Sequence, residues 1–273
     1  MRTIIAFLLV FFFLTGCGAR PEPADIAATT GPVAQAASRL VEGTDLTVAQ
    51  LVTDSVSCLH DYSLSVKQME LIDRSDLVLI SGGGLEEAME DALAAADLVV
   101  DCSEGLSLTD GDPHYWLNPL LYADMAENAA AAISSQYPQY ADVIATNLSV
   151  FQQELEALHA LGKEMLEPLS CRKLITFHDG FSYLAEGFDL ELLAAIEEEA
   201  GSEASAKDLT AIIGLVQEHD LPAVFTEING SDASAQVICQ ETGIAGYSLD
   251  MAMNGDYFAA MEQNFRTLQD ALG

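Results

Sequence analysis

The chain has 273 residues, half of them hydrophobic, and carries 10 lysines and arginines against 43 aspartates and glutamates, a net charge of −33. Such an acidic chain is excluded from nucleic acid and from anionic lipid surfaces, since both demand clustered basic residues. It concentrates divalent cations near its surface, although most of its carboxylates serve simply to keep that surface in solution.

Residues 1–16 read as a signal peptide. Arg2 supplies the positive start, and residues 4–14 form an apolar run too short for a stable membrane span. The run ends in Leu14-Thr15-Gly16-Cys17, which resembles the bacterial lipobox, where cleavage leaves the cysteine as a lipid-bearing N-terminus. Residues 17–24 hold two prolines and no apolar pattern, so they read as a tether. The folded part is therefore expected on the extracytoplasmic face of a membrane, anchored through lipid on Cys17. No later run is long enough for a transmembrane helix.

Residues 25–138 alternate strand and helix signals. Apolar runs at 25–29, 46–53, 76–80 and 97–101 are separated by helical patterns at 32–41, 65–74 and 86–95. Apolar strands without alternation, interleaved with helices, predict a parallel sheet covered on both faces. The run Ser81-Gly82-Gly83-Gly84-Leu85 matches neither phosphate-binding glycine pattern and reads as a tight strand-to-helix turn.

Residues 140–166 carry no strand signal. Ile144, Leu148, Phe151, Leu155, Leu158 and Met165 recur at helical spacing, with Gly162 as the one breaker. A single helix of about 27 residues would be about 40 Å long. Residues 139–167 are thus expected to connect two α/β lobes. His159 falls on this helix, away from any strand end, and is expected at the surface.

Residues 168–273 repeat the rhythm, with strands at 174–177, 223–226 and 245–249 and helices at 209–219, 231–242 and 257–272. His219 ends its helix, where a cation favours the negative end of the dipole. The predicted fold class is α/β: two lobes, each a parallel sheet flanked by helices, joined by one long rigid central helix.

Besides Cys17 the chain holds Cys58, Cys102, Cys171 and Cys239. An even number in an exported chain suggests disulfides. Of the three pairings, Cys58 with Cys102 is favoured because both fall near strand ends of the first half, leaving Cys171 with Cys239.

The chemistry concentrates in three histidines. His60 and His178 each lie just beyond an apolar strand. His114 lies in Gly111-Asp112-Pro113-His114-Tyr115-Trp116-Leu117-Asn118-Pro119, which also holds the only tryptophan. Glu227 and Asp250 follow strands of the second half. Ligands of open α/β sheets bind at the carboxyl ends of strands, and three imidazoles with one carboxylate complete a tetrahedral zinc site. Tyr115, Trp116 and Tyr183 are candidates to wall it, with ordinary core packing as the equal alternative.

Five ordered segments resemble the metal-binding solute receptors of bacterial ABC importers for zinc and manganese (cluster A-I). The Asp112-Pro113-His114 segment is similar to the family's D-P-H-x-W-L-D-P, with Asn118 where aspartate is usual. His60-Asp61-Tyr62-Ser63 is similar to its H-x-Y segment. Phe177-His178-Asp179-Gly180-Phe181-Ser182-Tyr183 looks like its F-H-D-A-[FY]-x-Y. Phe225-Thr226-Glu227 resembles F-x-E. Ser248-Leu249-Asp250 followed by Tyr257, Met261 and Asn264 resembles its closing segment. The resemblance implies His60, His114, His178 and Asp250 as ligands, with Glu227 in the outer shell or as the alternative carboxylate.

It also implies that a histidine at the third position accompanies zinc and a glutamate manganese. The donor set agrees, because nitrogen-rich sites suit Zn²⁺ and Mn²⁺ prefers oxygen. The short segment between the first two ligands lacks the histidine-rich loop of many zinc members. The expected protein is a monomeric Zn²⁺ receptor that delivers its ion to an ABC transporter permease, with a manganese or iron receptor as the alternative. Two other classes compete. A secreted zinc hydrolase would need an open coordination position, and no H-E-x-x-H pair is present. In a lipid-anchored adhesin the metal would only be structural.

Overall fold

The computed structural model describes residues 24–53, 59, 62–109, 112–197 and 204–273. The signal peptide, Cys17, Cys58 and His60 lie outside the described residues.

The first lobe begins with β1 (Ile26–Ala28), α1 (Gly31–Leu40), β2 (Val48–Gln50) and α2 (Val66–Arg74). β3 (Leu77–Ile80) follows, then a 3₁₀ turn at Glu87–Met89, α3 (Glu90–Leu93) and β4 (Val99–Asp101). Helix starts carry their chemical signatures. Thr30 caps α1 with Pro32 in its first turn, and Ser65 and Gln68 form a capping box on α2. The strands form one parallel sheet of order β2-β1-β3-β4. Gly82, Gly83 and Gly84 all take positive φ, which makes the expected tight turn after β3.

Next come α4 (Pro119–Gln136) and α5 (Ala141–Leu166), hinged by a 3₁₀ turn at Pro138–Tyr140 and packed along each other. α5 is the expected long helix, 26 residues in one piece. It buries Ile144, Phe151, Leu155 and Leu158, whereas Leu148 and Met165 are only half-buried. Gly162 does not break it. A Cβ there would lie 2.4 Å from a Phe188 ring carbon and 2.7 Å from one of Phe265, so glycine lets two aromatic rings reach the helix backbone.

The second lobe runs β5 (Lys173–His178), α6 (Ser182–Gly187), β6 (Glu191–Glu197), α7 (Ala206–Glu218), β7 (Ala223–Glu227), α8 (Ala233–Thr242), β8 (Ala245–Leu249) and α9 (Tyr257–Leu272). Its parallel sheet has the order β6-β5-β7-β8. Counted from its own first strand, each sheet has the order 2-1-3-4. Each therefore has a topological switch point beside its first strand, where such sheets bind ligands.

The strands are buried on both faces. Leu174, Ala223 and Phe225 face the main core, while Ile175, Phe177 and Val224 face a smaller core under α7 and α8. The main core is continuous between lobes: α9 packs along α5, and its Tyr257 lies 4.4 Å, ring to ring, from Tyr122 of α4.

One expectation about cysteine is corrected. Cys171 and Cys239 are free thiols, so the Cys171–Cys239 disulfide is not formed, while the pairing expected between Cys58 and Cys102 involves a residue outside the described ones. The Cys171 thiol follows its own chain to the Lys173 carbonyl at 3.5 Å, while Cys239 lies on α8 against Gly246 of β8. Burial, then the charges of Asp101 and Glu86, push the Cys102 thiol far up, which keeps it unreactive.

The two remaining histidines are structural. His159 is half-buried, not on open surface: its Nε2 stands 3.0 Å from the Gly187 carbonyl and its ring lies over Phe188 at 5.3 Å. His219 caps α7, where its Nδ1 accepts a hydrogen bond from Lys173 Nζ at 3.1 Å. That bond requires a lone pair on Nδ1, so a doubly protonated dipole partner does not fit this contact.

Candidate metal centre

His178 is the last residue of β5, at the switch point of the second sheet, and is 4% exposed. His114 comes from the other lobe. It stands well past β4, capping a 3₁₀ turn at Tyr115–Leu117, and is 3% exposed. The two imidazoles meet edge to face, with ring centroids 5.2 Å apart.

Asp112 determines how His114 is presented. Its Oδ1 accepts the His114 backbone N–H at 2.9 Å and lies 2.8 Å from Nδ1. An ionised carboxylate only accepts, so Nδ1 carries a proton, and in the neutral ring Nε2 is then the nitrogen with the lone pair. Nε2 is buried and has no hydrogen-bond partner among the described residues. A buried nitrogen with an unused lone pair costs free energy unless something binds it. Burial alone would raise the Asp112 carboxyl, but the hydrogen bonds from His114 and the Ser182 hydroxyl, with the charge that His114 carries when protonated, outweigh it and hold the group below its ordinary value.

Of the expected wall residues, Trp116 is against the site, its ring 5.3 Å from that of His114. Its Nε1 donates to the Met251 carbonyl at 2.8 Å, across the lobes. Tyr115 turns away and donates to the Ser81 carbonyl at 2.6 Å, and Tyr183 Oη accepts the Thr109 N–H at 2.6 Å. All three are essentially fully buried.

Asp250 follows β8 and is half-buried. Asn264 of α9 grips its backbone from both sides, accepting the Asp250 N–H at 2.8 Å and donating to its carbonyl at 2.7 Å. Asp250 Oδ1 accepts the N–H of Ala252 at 2.8 Å and so supports a left-handed residue, φ +54°. Glu227 ends β7 and is 4% exposed. The structure brings His114 and His178 together, and it leaves Asp250 one residue from Met251. Among the described residues no three histidine, cysteine or acidic side chains form a cation cage.

Three contributors were not foreseen from sequence. Gly180 lies where a Cβ would be 2.7 Å from His178 Cδ2, 2.7 Å from Met251 Cε and 2.8 Å from His114 Nδ1. Its missing side chain lets the loop after β5 touch both imidazoles. Met251 fills the remaining space. Asp112 was legible in principle, because the proline after it restricts it to extended backbone and so fixes its approach to His114.

Behind the site, Glu86 is buried at the carboxyl edge of the first sheet. It accepts from Thr29 Oγ1 at 2.6 Å, the Ser81 N–H at 2.8 Å and the Gly82 N–H at 3.0 Å. Burial raises this carboxyl, the three donors lower it, the nearby charge of Asp101 raises it again, and it remains above its ordinary value. Asn118, the departure from the family segment, caps α4 by accepting the Leu120 N–H at 3.1 Å, which an aspartate would do equally well.

Two buried histidines that meet from two lobes, each built on a parallel sheet and joined by a long helix, define a bilobal metal-binding solute receptor. The family model described as zinc-uptake complex component A, periplasmic (ZnuA) matches residues 26–271, and the chain belongs to that family, the metal-binding receptors of ABC importers that work with a membrane permease. It is 25% identical to the manganese-binding lipoprotein MntA of Bacillus subtilis (strain 168), over 98% of this chain and 97% of that protein. It is 27% identical to the zinc-binding protein TroA of Treponema pallidum (strain Nichols), over 82% and 79% respectively. A crystal structure of ZnuA superposes with a TM-score of 0.81 at 26% identity, covering 92% of this chain and all of that one. No helix among the described residues is long and apolar enough to cross a membrane.

Proposed function

We propose that the protein captures Zn²⁺ outside the cytoplasm and hands it to its permease, with His60, His114, His178 and Asp250 as ligands and Glu227 as the supporting or alternative carboxylate. The observation that carries this is the buried Nε2 of His114, its lone pair free while Asp112 engages Nδ1. Metal-bound histidines are held in this way by a carboxylate on the other ring nitrogen. His60 lies outside the described residues and enters on the resemblance of its segment.

Zinc is favoured over manganese by the donors. Two imidazoles already face each other, and a third histidine with one carboxylate makes a nitrogen-rich, four-coordinate set that suits Zn²⁺. Relatives named for zinc and for manganese both exist, so the choice of ion rests on this chain's own ligands. Cleavage before Cys17 and lipidation there would tether a monomeric receptor at the membrane by residues 17–24, ahead of lobes at 25–138 and 168–273 and the helix between them.

The test is elemental analysis of the soluble part, followed by direct competition between Zn²⁺ and Mn²⁺. Zinc retained against excess manganese is the expected result. Preferential manganese loading overturns the choice of ion, and zinc affinity unchanged in His114→Ala overturns the site.

A further inference from the structure

We propose that Asp112 is a positioning residue that ties the orientation of His114 to contact between the lobes, through Ser182. The proposal rests on the metal-receptor reading above and adds what governs release from that site.

The geometry is that of one carboxylate with two tasks. Oδ1 engages His114 at both the backbone N–H and Nδ1. Oδ2 accepts the backbone N–H of Ser182 at 3.2 Å and a short hydrogen bond from the Ser182 hydroxyl. Ser182 opens α6, so this serine belongs to the second lobe and to the same loop that carries His178 and Gly180. It does not cap its own helix; the residue preceding α6 is Phe181, which makes no side-chain cap. Both its donors go to a carboxylate of the other lobe.

Other bonds cross the same boundary: Thr109 N–H to Tyr183 Oη, Trp116 Nε1 to the Met251 carbonyl, and Tyr257 Oη to the Trp116 carbonyl at 2.7 Å. These fasten the loop. Among the described residues, Asp112 is the crossing group that also holds an imidazole. While Ser182 donates, the carboxylate is anchored at both ends, and His114 is fixed as the Nδ1–H tautomer with Nε2 left unengaged among the described residues. When the lobes part, Oδ2 loses two donors, the carboxylate is free to turn, and the ring loses its fixed tautomer and orientation. Loss of an outer partner of a metal-bound histidine typically weakens binding roughly 10–100-fold. Lobe separation alone would then loosen the ion without protonating any ligand.

The test combines histidine ¹⁵N spectra of the metal-free protein with zinc dissociation followed by chelator chase. In the wild type, His114 is expected as a single Nδ1–H tautomer before any metal is added. Ser182→Ala should give a mixture of tautomers and roughly ten-fold faster zinc release, and Ser182→Thr, which keeps the hydroxyl, should restore both. Asp112→Asn should weaken binding more than Ser182→Ala does. A wild-type ring already mixed between tautomers, or Ser182→Ala with wild-type spectra and wild-type release, overturns the proposal. The spectra need no metal, so a failure of the zinc reading, with no binding but a fixed tautomer, is distinct from a failure of this one.

Discussion

His114 and His178 reach the same point from different lobes, their ring centroids 5.2 Å apart. Among the described residues each lobe contributes one of these two imidazoles, so an ion bound by both would sit between the lobes. Alanine at either position removes a donor outright and should lower zinc affinity by at least two orders of magnitude, beyond the roughly 10–100-fold cost of losing an outer partner. Competition titration against a chelator of known affinity measures this. Melting temperature of the metal-free variants reads the structural cost separately, since both imidazoles are buried beside the core residues Trp116 and Met251.

Gly180 sets how closely that pair is packed. A methyl group there would collide with His178, Met251 and His114 at 2.7–2.8 Å, and of these the Met251 methyl is the most movable. Gly180→Ala should therefore weaken zinc binding, and adding Met251→Ala should recover much of the loss. Residues in contact commonly show coupling of about 0.5–3 kcal/mol. A double-mutant cycle on zinc affinity reads that coupling directly, and strictly additive effects would mean that the two side chains do not share the space.

How much of this was legible in the sequence depends on what each residue reports. The first sheet, three of the four strands of the second, the long helix and the chain positions of His178 and Asp250 follow from apolar runs and their spacing. α4 was missed. Asn118-Pro119 is a strong helix start, but the alanines that follow give little apolar contrast, and here they serve close packing against α5. β6 was missed because Glu-Leu-Leu-Ala-Ala-Ile-Glu is made of helix formers, and pairing with β5 overrides that preference. Ser182 and Met251 were invisible as site residues. Their roles exist only once two lobes meet, and no local pattern encodes that meeting.

Gly162 tests the packing of the long helix against its neighbours. Alanine there has higher helix propensity by about 1 kcal/mol. Its Cβ would nevertheless enter the rings of Phe188 and Phe265, both fully buried and 4.8 Å apart. Overpacking a core typically costs about 1–3 kcal/mol, so Gly162→Ala should be net destabilising in urea unfolding. A stabilised variant would show that the rings can retreat.

Ten basic residues cannot partner 43 acidic ones, so most carboxylates of this chain repel one another. Among the described residues the lysine and arginine ion pairs, such as Arg266–Glu262 at 2.7 Å, are exposed and worth little. Screening lengths fall from about 10 Å at 0.1 M salt to 3 Å at 1 M, and relief of repulsion should outweigh the loss of the few attractive pairs. Raising NaCl over that range should raise the melting temperature of the metal-free protein by a few degrees, roughly 1 kcal/mol of stability for a chain of this size. A melting temperature that falls with salt would show that the attractive pairs dominate.

Glu86 gives a pH dependence whose sign can be fixed. Its folded value lies above the ordinary 4.5, because burial outweighs the three donors that favour the anion. Between 4.5 and the folded value, the folded protein holds a proton that the unfolded chain has released. Stability from this group is therefore fully present below 4.5, falls as pH rises through that window, and is level above it. Glu86→Gln has no proton to exchange and removes that slope, although its amide places a donor against the N–H of Gly82 or Ser81 and lowers stability at every pH. Urea midpoints of the two proteins, taken in steps from pH 4 upward, should show the gap between wild type and variant narrowing as pH rises and then holding constant. A gap independent of pH would mean that the folded Glu86 titrates like an exposed carboxyl. The three short hydrogen bonds around it would then offset the whole desolvation cost.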